Sequence, residues 1–259
     1  QSIIAQDIMT TKNRVAVITG GASGIGFAFA QGLAEAGYAV VIADIRGSAE
    51  AAARLAGAGH GAIGVTVDVT SVEDTEAMAR QAIDAFGRLD VLINNAGLFT
   101  TLALKPFEQI EPAEWMKVME VNTLGPFLCA KAVMPMYRAA GSGRIINIAS
   151  TSPIKGTPNM QHYTASKGAV IAFTRSLARA LGAANVTVNA IAPGFTLSDG
   201  VLASGMENVM GDAARRTSRS IQRDQVPQDL VGAALFLASE GASFITGQTV
   251  AVDGGGVFL

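Results

Sequence analysis

Short runs of Val, Ile, Leu and Ala recur along the chain, and a segment with helical spacing follows most of them. The runs show little alternation between apolar and polar side chains, which is typical of strands covered on both faces, as in a parallel sheet. They predict seven strands, over residues 14–19, 39–45, 62–67, 89–94, 144–149, 187–192 and 249–252.

The segments between the predicted strands are rich in Ala and have helical periodicity. Residues 71–86 are the clearest example, because Val72, Ala79, Ile83 and Phe86 fall on one stripe. Strands that alternate with helices through short connections predict an α/β fold. We therefore expect a single doubly wound domain around a central seven-stranded parallel sheet.

Two regions depart from this alternation. Residues 1–13 precede the first strand as an N-terminal extension, and Met9 fits a natural start, so we expect residues 1–8 to lie ahead of the native chain. Residues 194–220 contain no predicted strand, and we expect them to form a mobile lid on the domain of residues 14–259.

Composition narrows the class of protein. Of the 259 residues, 49% are hydrophobic and 15% are charged, which excludes a disordered chain, and the net charge of −2 gives no footprint for nucleic acid. The uncharged run 15–34 is long enough to span a bilayer, but its glycines fit a strand, a turn and a helix better. Cys129 is the one cysteine, so an internal disulfide is excluded, and we expect a cytoplasmic protein.

A glycine-rich turn follows the first predicted strand. In Thr19-Gly20-Gly21-Ala22-Ser23-Gly24-Ile25-Gly26, Gly20 allows a sharp turn, Gly24 lets backbone N–H groups approach a pyrophosphate, and Gly26 lets helix and strand pack closely. The alternative is a tight turn without a ligand. Its position after a strand and before a helix favours a dinucleotide site.

Asp44 ends the second predicted strand. A carboxylate there accepts hydrogen bonds from ribose hydroxyls and repels a 2′-phosphate, which favours NAD over NADP. Arg46 is the nearby residue that could restore NADP binding, and a solvated turn residue is the other interpretation of Asp44.

Seven motifs share their order and spacing with a known family. They are the turn at 19–26, Asp68-Val69, Asn94-Asn95-Ala96-Gly97, Asn122, Ser150, Tyr163-x-x-x-Lys167 and Pro193-Gly194. From about residue 14 to residue 256 the chain resembles the short-chain dehydrogenase/reductase family. The resemblance implies a Rossmann-type fold and hydride transfer between a nicotinamide cofactor and a carbonyl or alcohol.

Tyr163 and Lys167 lie four residues apart and so share one face of a helix. A lysine cation there favours the phenolate, which predicts a lowered pKa for Tyr163 and lets it take the hydroxyl proton as hydride leaves the carbinol carbon. Ser150, at a strand end, would hydrogen-bond the substrate oxygen. The resemblance implies that Asn122 holds a water in a proton relay to Lys167. The structural alternatives are that Tyr163 is a packed core residue, that Ser150 caps the end of a strand and that Asn122 is a polar residue of a helix.

Together with the turn and Asp44, the resemblance implies a larger set of cofactor-binding residues. They are Gly20, Ser23, Gly24, Ile25, Gly26, Asp44, Asp68, Val69, Asn95, Ala96, Gly97, Tyr163, Lys167, Pro193, Gly194, Thr196 and Ser198. The family often has Thr three or four residues after the glycine of the last motif. This chain has Ser198 there instead, with Thr196 earlier.

The candidate substrate residues are mostly apolar, which suits an aromatic or alkyl secondary alcohol. They are Phe99, Ser152, Ile154, Met160, Phe195 and Met206. The stretches 143–147, 225–227 and 242–248 resemble NAD-dependent 1-phenylethanol dehydrogenases of the family, and 156–160 and 198–201 resemble pyridoxal 4-dehydrogenase. We therefore expect a compact aromatic or benzylic-type alcohol and its ketone.

Two further groups of polar residues lie near these positions. His162 could donate to a substrate, although a surface position fits it better. Arg215, Arg216 and Arg219 could clamp a phosphate or a coenzyme-linked substrate, although a solvated helix face fits them better. We expect no metal site.

Two other functions stay open. The first is an NADPH-dependent 3-oxoacyl-thioester reductase, against which Asp44 and the lack of Arg or Lys at 21–23 argue. The second is a non-catalytic NAD-sensing regulator, against which the complete set of Asn122, Ser150, Tyr163 and Lys167 argues. The resemblance also implies a homotetramer, in which the apolar tail 256–259 would pack at a subunit interface.

Overall fold

The sheet contains one strand for each predicted apolar run. In this computed structural model, which describes residues 14–209 and 211–258, the strands are β1 (Val15–Thr19), β2 (Ala39–Asp44), β3 (Ala62–Thr66), β4 (Val91–Asn94), β5 (Gly143–Ile148), β6 (Val186–Pro193) and β7 (Thr249–Val252). Neighbouring strands pair in parallel, in the order β3-β2-β1-β4-β5-β6-β7. The predicted α/β fold class is confirmed. The extension predicted for residues 1–13 lies outside the described residues.

Helices connect the strands and cover both faces of the sheet. Those of the described residues are α1 (Gly24–Glu35), α2 (Ser48–Gly57), α3 (Val72–Phe86), α4 (Pro112–Met119), α5 (Gly125–Ala140), α6 (Ser152–Lys155), α7 (Gln161–Leu181), α8 (Asp199–Ser204), α9 (Asp212–Thr217) and α10 (Gln228–Ala238). Single 3₁₀ turns lie at Phe107–Gln109, Gly182–Ala184, Met206–Val209 and Glu240–Ala242. A π-helical turn, Glu120–Leu124, joins α4 to α5.

Local chemistry sets the ends of α3. The hydroxyl of Ser71 accepts a hydrogen bond from the backbone N–H of Asp74, as an N-cap does. Acidic residues occupy the first turn, where they interact favourably with the helix dipole. Gly87 ends the helix with a φ of 75°, a conformation that glycine adopts without strain.

Two apolar layers sandwich the sheet, because side chains alternate between its faces. Val15 and Val17 of β1 point into the layer shared with α3, α5 and α7, and Ala16 and Ile18 point into the layer shared with α1, α2 and α10. Cys129 is fully buried in the first layer, where burial raises the pKa of its thiol to about 12. Both layers are apolar, which accounts for strands without alternation.

The run 15–34, which is long enough to cross a bilayer, folds into β1, the glycine turn and α1. Over residues 14–209 and 211–258, no helix has the length and apolar character that a membrane span requires.

A crevice opens where the strand order reverses, between β1 and β4. Ligands of doubly wound sheets bind at this point, outside the carboxyl ends of the strands. The segment predicted as a lid contributes α8, the turn Met206–Val209 and α9, and Thr196 forms an isolated bridge with Gln225. Its mobility stays a prediction.

Gly64 lies in β3, where the backbone of α2 packs directly against it. A Cβ at this position would lie 2.3 Å from the Ser48 carbonyl oxygen, so Gly64→Ala forces the helix away from the sheet. We expect a loss of about 1–3 kcal/mol in the free energy of unfolding, measured by urea denaturation. Gly57→Ala is the matched control, because a Cβ there meets nothing within 4 Å. Equal effects of the two substitutions would contradict this account of the packing.

Candidate active site

The glycine turn brings three backbone segments into contact at the edge of the crevice. Gly20 has a φ of +61°, and a Cβ on it would lie 2.8 Å from the Ala96 Cα. A Cβ on Gly26 would lie 2.0 Å from the Gly20 carbonyl oxygen, so neither position has room for a side chain. The Asn95 side-chain amide donates to the carbonyl oxygens of Thr19 (3.1 Å) and Gly20 (2.9 Å) and fixes the turn.

The start of α1 fits a pyrophosphate. Ser23 is the N-cap residue, but its exposed side chain makes no capping hydrogen bond, so the hydroxyl and the first backbone N–H groups of α1 are available to a ligand. A Cβ on Gly24 would point toward Ser198, at 3.4 Å from its Cβ, on the opposite wall. The N-terminus of a helix attracts anions, and this one faces the crevice.

Asp44 lies beside this turn, at the end of β2. Its carboxylate accepts hydrogen bonds from the backbone N–H groups of Ala22 (3.1 Å) and Arg46 (3.3 Å). The two contacts orient the carboxylate at the wall of the crevice, where the sequence predicted a ribose partner. Arg46 itself is exposed.

Tyr163 and Lys167 lie one turn apart on α7, both buried. Lys167 Nζ is 5.9 Å from the centroid of the Tyr163 ring and donates to the carbonyl oxygen of Ile148 at 2.8 Å. Ser150 follows β5 and lines the same cavity wall as Tyr163, and its hydroxyl donates to Ser152 Oγ at 3.0 Å. The backbone N–H of Ser152 donates to Ser150 Oγ at 3.1 Å and helps to hold that hydroxyl in place.

Burial dominates the ionisation of this pair. It raises the pKa of Tyr163 to about 12, with the hydrogen bond from Ser150 acting in the opposite direction, and it lowers the pKa of Lys167 to about 8. The lowered pKa that the sequence predicted for Tyr163 is therefore wrong for the chain alone. The prediction included the lysine charge but left out the loss of water around the phenol, which disfavours the phenolate.

Asn122 lies in the π-helical turn between α4 and α5, a local geometry that is frequent at functional sites. Its amide accepts from the backbone N–H of Leu98 at 2.7 Å and donates to Ser166 Oγ at 3.0 Å. A Cβ on Gly97 would lie 3.2 Å from Asn122 Oδ1 and 3.5 Å from Lys167 Nζ, so both polar ends flank this glycine. This arrangement suits the relay that the resemblance implies.

An apolar cluster forms the wall beside Tyr163. The Phe99 ring lies 4.9 Å from the Tyr163 ring and 6.5 Å from the Phe195 ring, centroid to centroid. Met160 and Met206 are buried in the same cluster. These contacts leave the Tyr163 hydroxyl as a polar group within apolar surroundings.

All these features line one cavity of about 1010 Å³. The cavity wall includes the 17 residues predicted to bind the cofactor, together with Ser150, Phe99, Ser152, Met160, Phe195 and Met206. Asn122 lies behind the wall. Ile154, on α6, is 37% exposed and is not part of the cavity lining, because α6 turns its side chain toward solvent. The volume is at the upper end of the range for small-molecule sites and suits a cofactor with a second ligand.

His162 is fully buried, so the surface position expected for it is wrong. Its Nε2 lies 3.2 Å from Oε1 of Glu114, because α4 packs against α7 at this point. Glu114 also pairs with Lys105, and both partners lower the pKa of its carboxyl group. His162 therefore supports the start of α7 rather than lining the cavity.

The arginine cluster does not form a solvated helix face. Arg215 and Arg219 are buried and line the cavity, and Arg216 alone is exposed. Asp224 accepts from Arg215 at 2.6 Å and from Arg216 at 2.8 Å, and hydrogen bonding to Arg215 lowers the pKa of this aspartate. Asp224 lies nine residues after Arg215, outside the helical spacings at which side chains pair, so no sequence signal pointed to this ion pair.

Some supporting groups were missed in the sequence. The carbonyl of Ile148 holds Lys167, the hydroxyl of Ser166 holds Asn122, and the hydroxyl of Thr19 accepts from the backbone N–H groups of Asn95 and Ala96, both at 3.1 Å. A backbone carbonyl leaves no mark in a sequence, so the first could not have been found. Within the described ranges, no cluster of His, Cys, Asp or Glu is arranged to hold a metal ion.

Comparisons with known proteins match the whole domain. A family model described as enoyl-(acyl carrier protein) reductase matches residues 20–256. The chain is 42% identical over 244 residues to cis-4-hydroxycyclohexanecarboxylate dehydrogenase of Sinomonas cyclohexanicum, covering 93% of this chain and 96% of that one.

Two solved structures have a TM-score of 0.86. One is 3-ketoacyl-(acyl-carrier-protein) reductase of Brucella melitensis complexed with NADH, at 34% identity over 96% of this chain and 100% of that one. The other is a candidate NAD(P)-dependent gluconate 5-dehydrogenase of Beutenbergia cavernae with NADP at low occupancy, at 36% identity over 95% and 97%. The first of these structures thus holds NADH and the second holds NADP.

The lowered pKa of Lys167 makes stability depend on pH. The folded chain releases this proton near pH 8, whereas the unfolded chain holds it until about pH 10.4, so wild-type stability gains from this group as pH rises through that window. Lys167→Met removes this contribution to the pH dependence of stability. We expect the free energy of unfolding of the variant, minus that of the wild type, to fall by up to ~3 kcal/mol between pH 7 and pH 10. A difference that stays constant in urea titrations of the cofactor-free proteins would contradict the lowered pKa.

Proposed function

Because the chain belongs to the short-chain dehydrogenase/reductase family, we propose that it is an NAD-dependent dehydrogenase that interconverts a compact secondary alcohol, aromatic or benzylic in type, and its ketone. One observation carries the proposal. Tyr163 and Ser150 share one wall of the cavity, where the Ser150 hydroxyl acts to lower the pKa of Tyr163, with Lys167 one turn away and the rings of Phe99 and Phe195 beside them.

The roles of the residues follow from this arrangement. Ser150 donates to the substrate oxygen and holds it near Tyr163, and Tyr163 takes the hydroxyl proton during oxidation and returns it during reduction. Lys167 is held by the Ile148 carbonyl and stabilises the phenolate while the proton is away from Tyr163. The nicotinamide cofactor, when bound, supplies the hydride acceptor or donor.

The apolar wall supports a compact ring as the body of the substrate. Met160 and Met206, together with Phe99 and Phe195, surround Tyr163 with unbranched or aromatic side chains, which suit the flat faces of a ring. The relative from Sinomonas cyclohexanicum is named for a substrate, cis-4-hydroxycyclohexanecarboxylate, that carries its hydroxyl on a six-membered ring and a carboxylate opposite it. A secondary alcohol on or next to a ring is therefore consistent with both lines of support.

A second candidate is the reduction of a 3-oxoacyl thioester. It is favoured by the similarity to the 3-ketoacyl-(acyl-carrier-protein) reductase from Brucella melitensis, which covers 96% of this chain. The two candidates differ in what they need from the cavity: an acyl thioester brings a long carrier chain, whereas a ring alcohol can be enclosed. An assay at the NADH absorbance band separates them.

The assay uses ring alcohols, aliphatic alcohols and a 3-oxoacyl thioester with both cofactors. We expect a ring alcohol such as 1-phenylethanol to have the highest kcat/KM with NAD. Turnover confined to the thioester would favour the second candidate. No turnover of any alcohol or ketone would leave the sensing regulator as the better explanation.

We also propose that the protein is a cytoplasmic homotetramer. The single cysteine of the sequence supports a reducing compartment. Large apolar side chains stand exposed on α4 and α5 and near the C-terminal strand, as expected of surfaces that pack against other subunits; they include Met116, Phe127, Phe236 and Phe244.

Tyr163→Phe removes the acid–base hydroxyl while it keeps the ring that packs on Phe99. We expect alcohol oxidation to fall by a factor of about 10² to 10⁴ in kcat, with NADH affinity nearly unchanged. Tyr38→Phe is the control, since it removes the hydroxyl of another buried tyrosine, which donates to the Ala238 carbonyl at 3.3 Å and does not line the cavity. Near-normal kcat in Tyr163→Phe would contradict the mechanism.

Asp44→Ser tests the choice of cofactor. The carboxylate would repel a 2′-phosphate, so its loss should raise kcat/KM for NADP and lower it for NAD, shifting their ratio by about 10- to 100-fold. Asp84→Ser is the control, because Asp84 is an exposed acid on α3 that does not line the cavity. Steady-state kinetics with both cofactors provide the measurement, and a wild type that prefers NADP would refute the assignment.

A further inference from the structure

Arg219 places a guanidinium group in the wall of the cavity, largely shielded from water. The residue is 7% exposed, and its Nη2 donates to the carbonyl oxygen of Phe195 at 3.1 Å. Gly254 makes room for its aliphatic stem, since a Cβ there would lie 3.2 Å from the Arg219 Cδ. The backbone N–H of Ile221 donates to the Gly254 carbonyl at 2.8 Å and anchors the segment that carries Arg219.

Arg219 differs from the other cations of the cavity wall in its charge balance. Lys117 pairs with Glu120, Lys155 with Asp253, and Arg215 with Asp224 and Asp212, whereas Lys167 belongs to the catalytic group. Among residues 14–209 and 211–258, no carboxylate lies within ion-pair distance of Arg219. Asp229, which pairs with Arg223, interacts with Arg219 only at longer range, where Arg219 helps to lower the pKa of that carboxyl group. A buried guanidinium whose one hydrogen-bond acceptor is a backbone carbonyl gains when an anion joins it.

A short path of contacts leads from Arg219 to the catalytic hydroxyl. Arg219 binds the backbone of Phe195, the Phe195 ring contacts the Phe99 ring edge to face, and the Phe99 ring packs against Tyr163. The guanidinium and Tyr163 are thus linked through the same apolar cluster, and both line the one cavity. A flat ring that rests on Phe99 and Phe195 could present a hydroxyl to one and an anionic group to the other.

We propose that Arg219 binds a carboxylate of the substrate, so that the substrate is a ring-bearing hydroxy acid with its carboxylate away from the carbinol carbon. The inference rests on the proposed function for the reaction, and it adds the anionic group. A planar guanidinium offers parallel N–H donors that match the two oxygens of a carboxylate. A phosphate of the cofactor is the other anion that could reach Arg219, but the start of α1 already offers N–H groups to that ligand.

Binding of unreactive probes tests this assignment without turnover. Calorimetry with the NADH-loaded protein compares 4-methylbenzoate with 4-methylbenzamide, which has the same shape and no charge. We expect the wild type to bind the carboxylate more tightly. Arg219→Gln should weaken 4-methylbenzoate by about 10- to 100-fold and 4-methylbenzamide by less than about 3-fold. Arg216→Gln is the matched control, because Arg216 is exposed and is absent from the cavity wall.

If Arg219→Gln does not fold, Arg219→Lys replaces it as the test variant, because it keeps the positive charge. We expect this variant to bind 4-methylbenzoate more tightly than 4-methylbenzamide. Equal affinities in the wild type, or an undiminished preference in Arg219→Gln, would overturn the proposal. So would a loss of NADH affinity as large as the loss for 4-methylbenzoate, since Arg219 would then serve the cofactor.

Kinetics separate this inference from the proposed function. The substrates are 4-(1-hydroxyethyl)benzoate and its amide. If both are oxidised and Arg219→Gln leaves the preference between them unchanged, the carboxylate site is refuted and the proposed function stands. Carboxylate binding that depends on Arg219, together with no oxidation of any alcohol, refutes the proposed function and leaves the anion site in place.

Discussion

The Asn95 amide, through its hydrogen bonds to the carbonyl oxygens of Thr19 and Gly20, is the contact on which the crevice depends. It joins the ends of β1 and β4, the two strands between which the sheet reverses its order. A Cβ on Gly26 would lie 2.5 Å from this same amide nitrogen, so the start of α1 is fixed by the same residue. The position of the helix N-terminus that faces the crevice thus follows from one side chain and two glycines.

The pair Tyr163 and Lys167 depends on a second constraint, the burial of two ionisable side chains one helical turn apart. Without water, neither Tyr163 nor Lys167 is stabilised in its charged form, so their pKa values move apart, the phenol up to about 12 and the ammonium down to about 8. The Ile148 carbonyl keeps Lys167 extended beneath the cavity. A lysine that is already held in this way can respond to charge that develops on the phenol without first being ordered.

Local features of the sequence predicted much of the architecture. Apolar runs predicted the seven strands, and the helical periodicity of residues 71–86 predicted α3. Properties that depend on contacts between distant segments could not be predicted. His162 is buried because α4 crosses α7, and Arg219 is buried because the C-terminal segment at Gly254 receives its stem. A pattern of charges cannot show which cations will meet a carboxylate.

Charge is scarce in this chain, at 15% of the residues, and among the described residues the cavity wall carries five cations and two acids. The acids, Asp44 and Asp68, lie at or just after the ends of β2 and β3, and Lys117 lies near enough to Asp68 to help lower the pKa of its carboxyl group. Burying cations reduces stability unless a partner is present, and natural proteins keep such features mainly at functional sites. Lys117, Lys155 and Arg215 each pair with a carboxylate, whereas Lys167 and Arg219 donate to backbone carbonyls. Arg219 is therefore the guanidinium of the wall at which a bound anion would add the most.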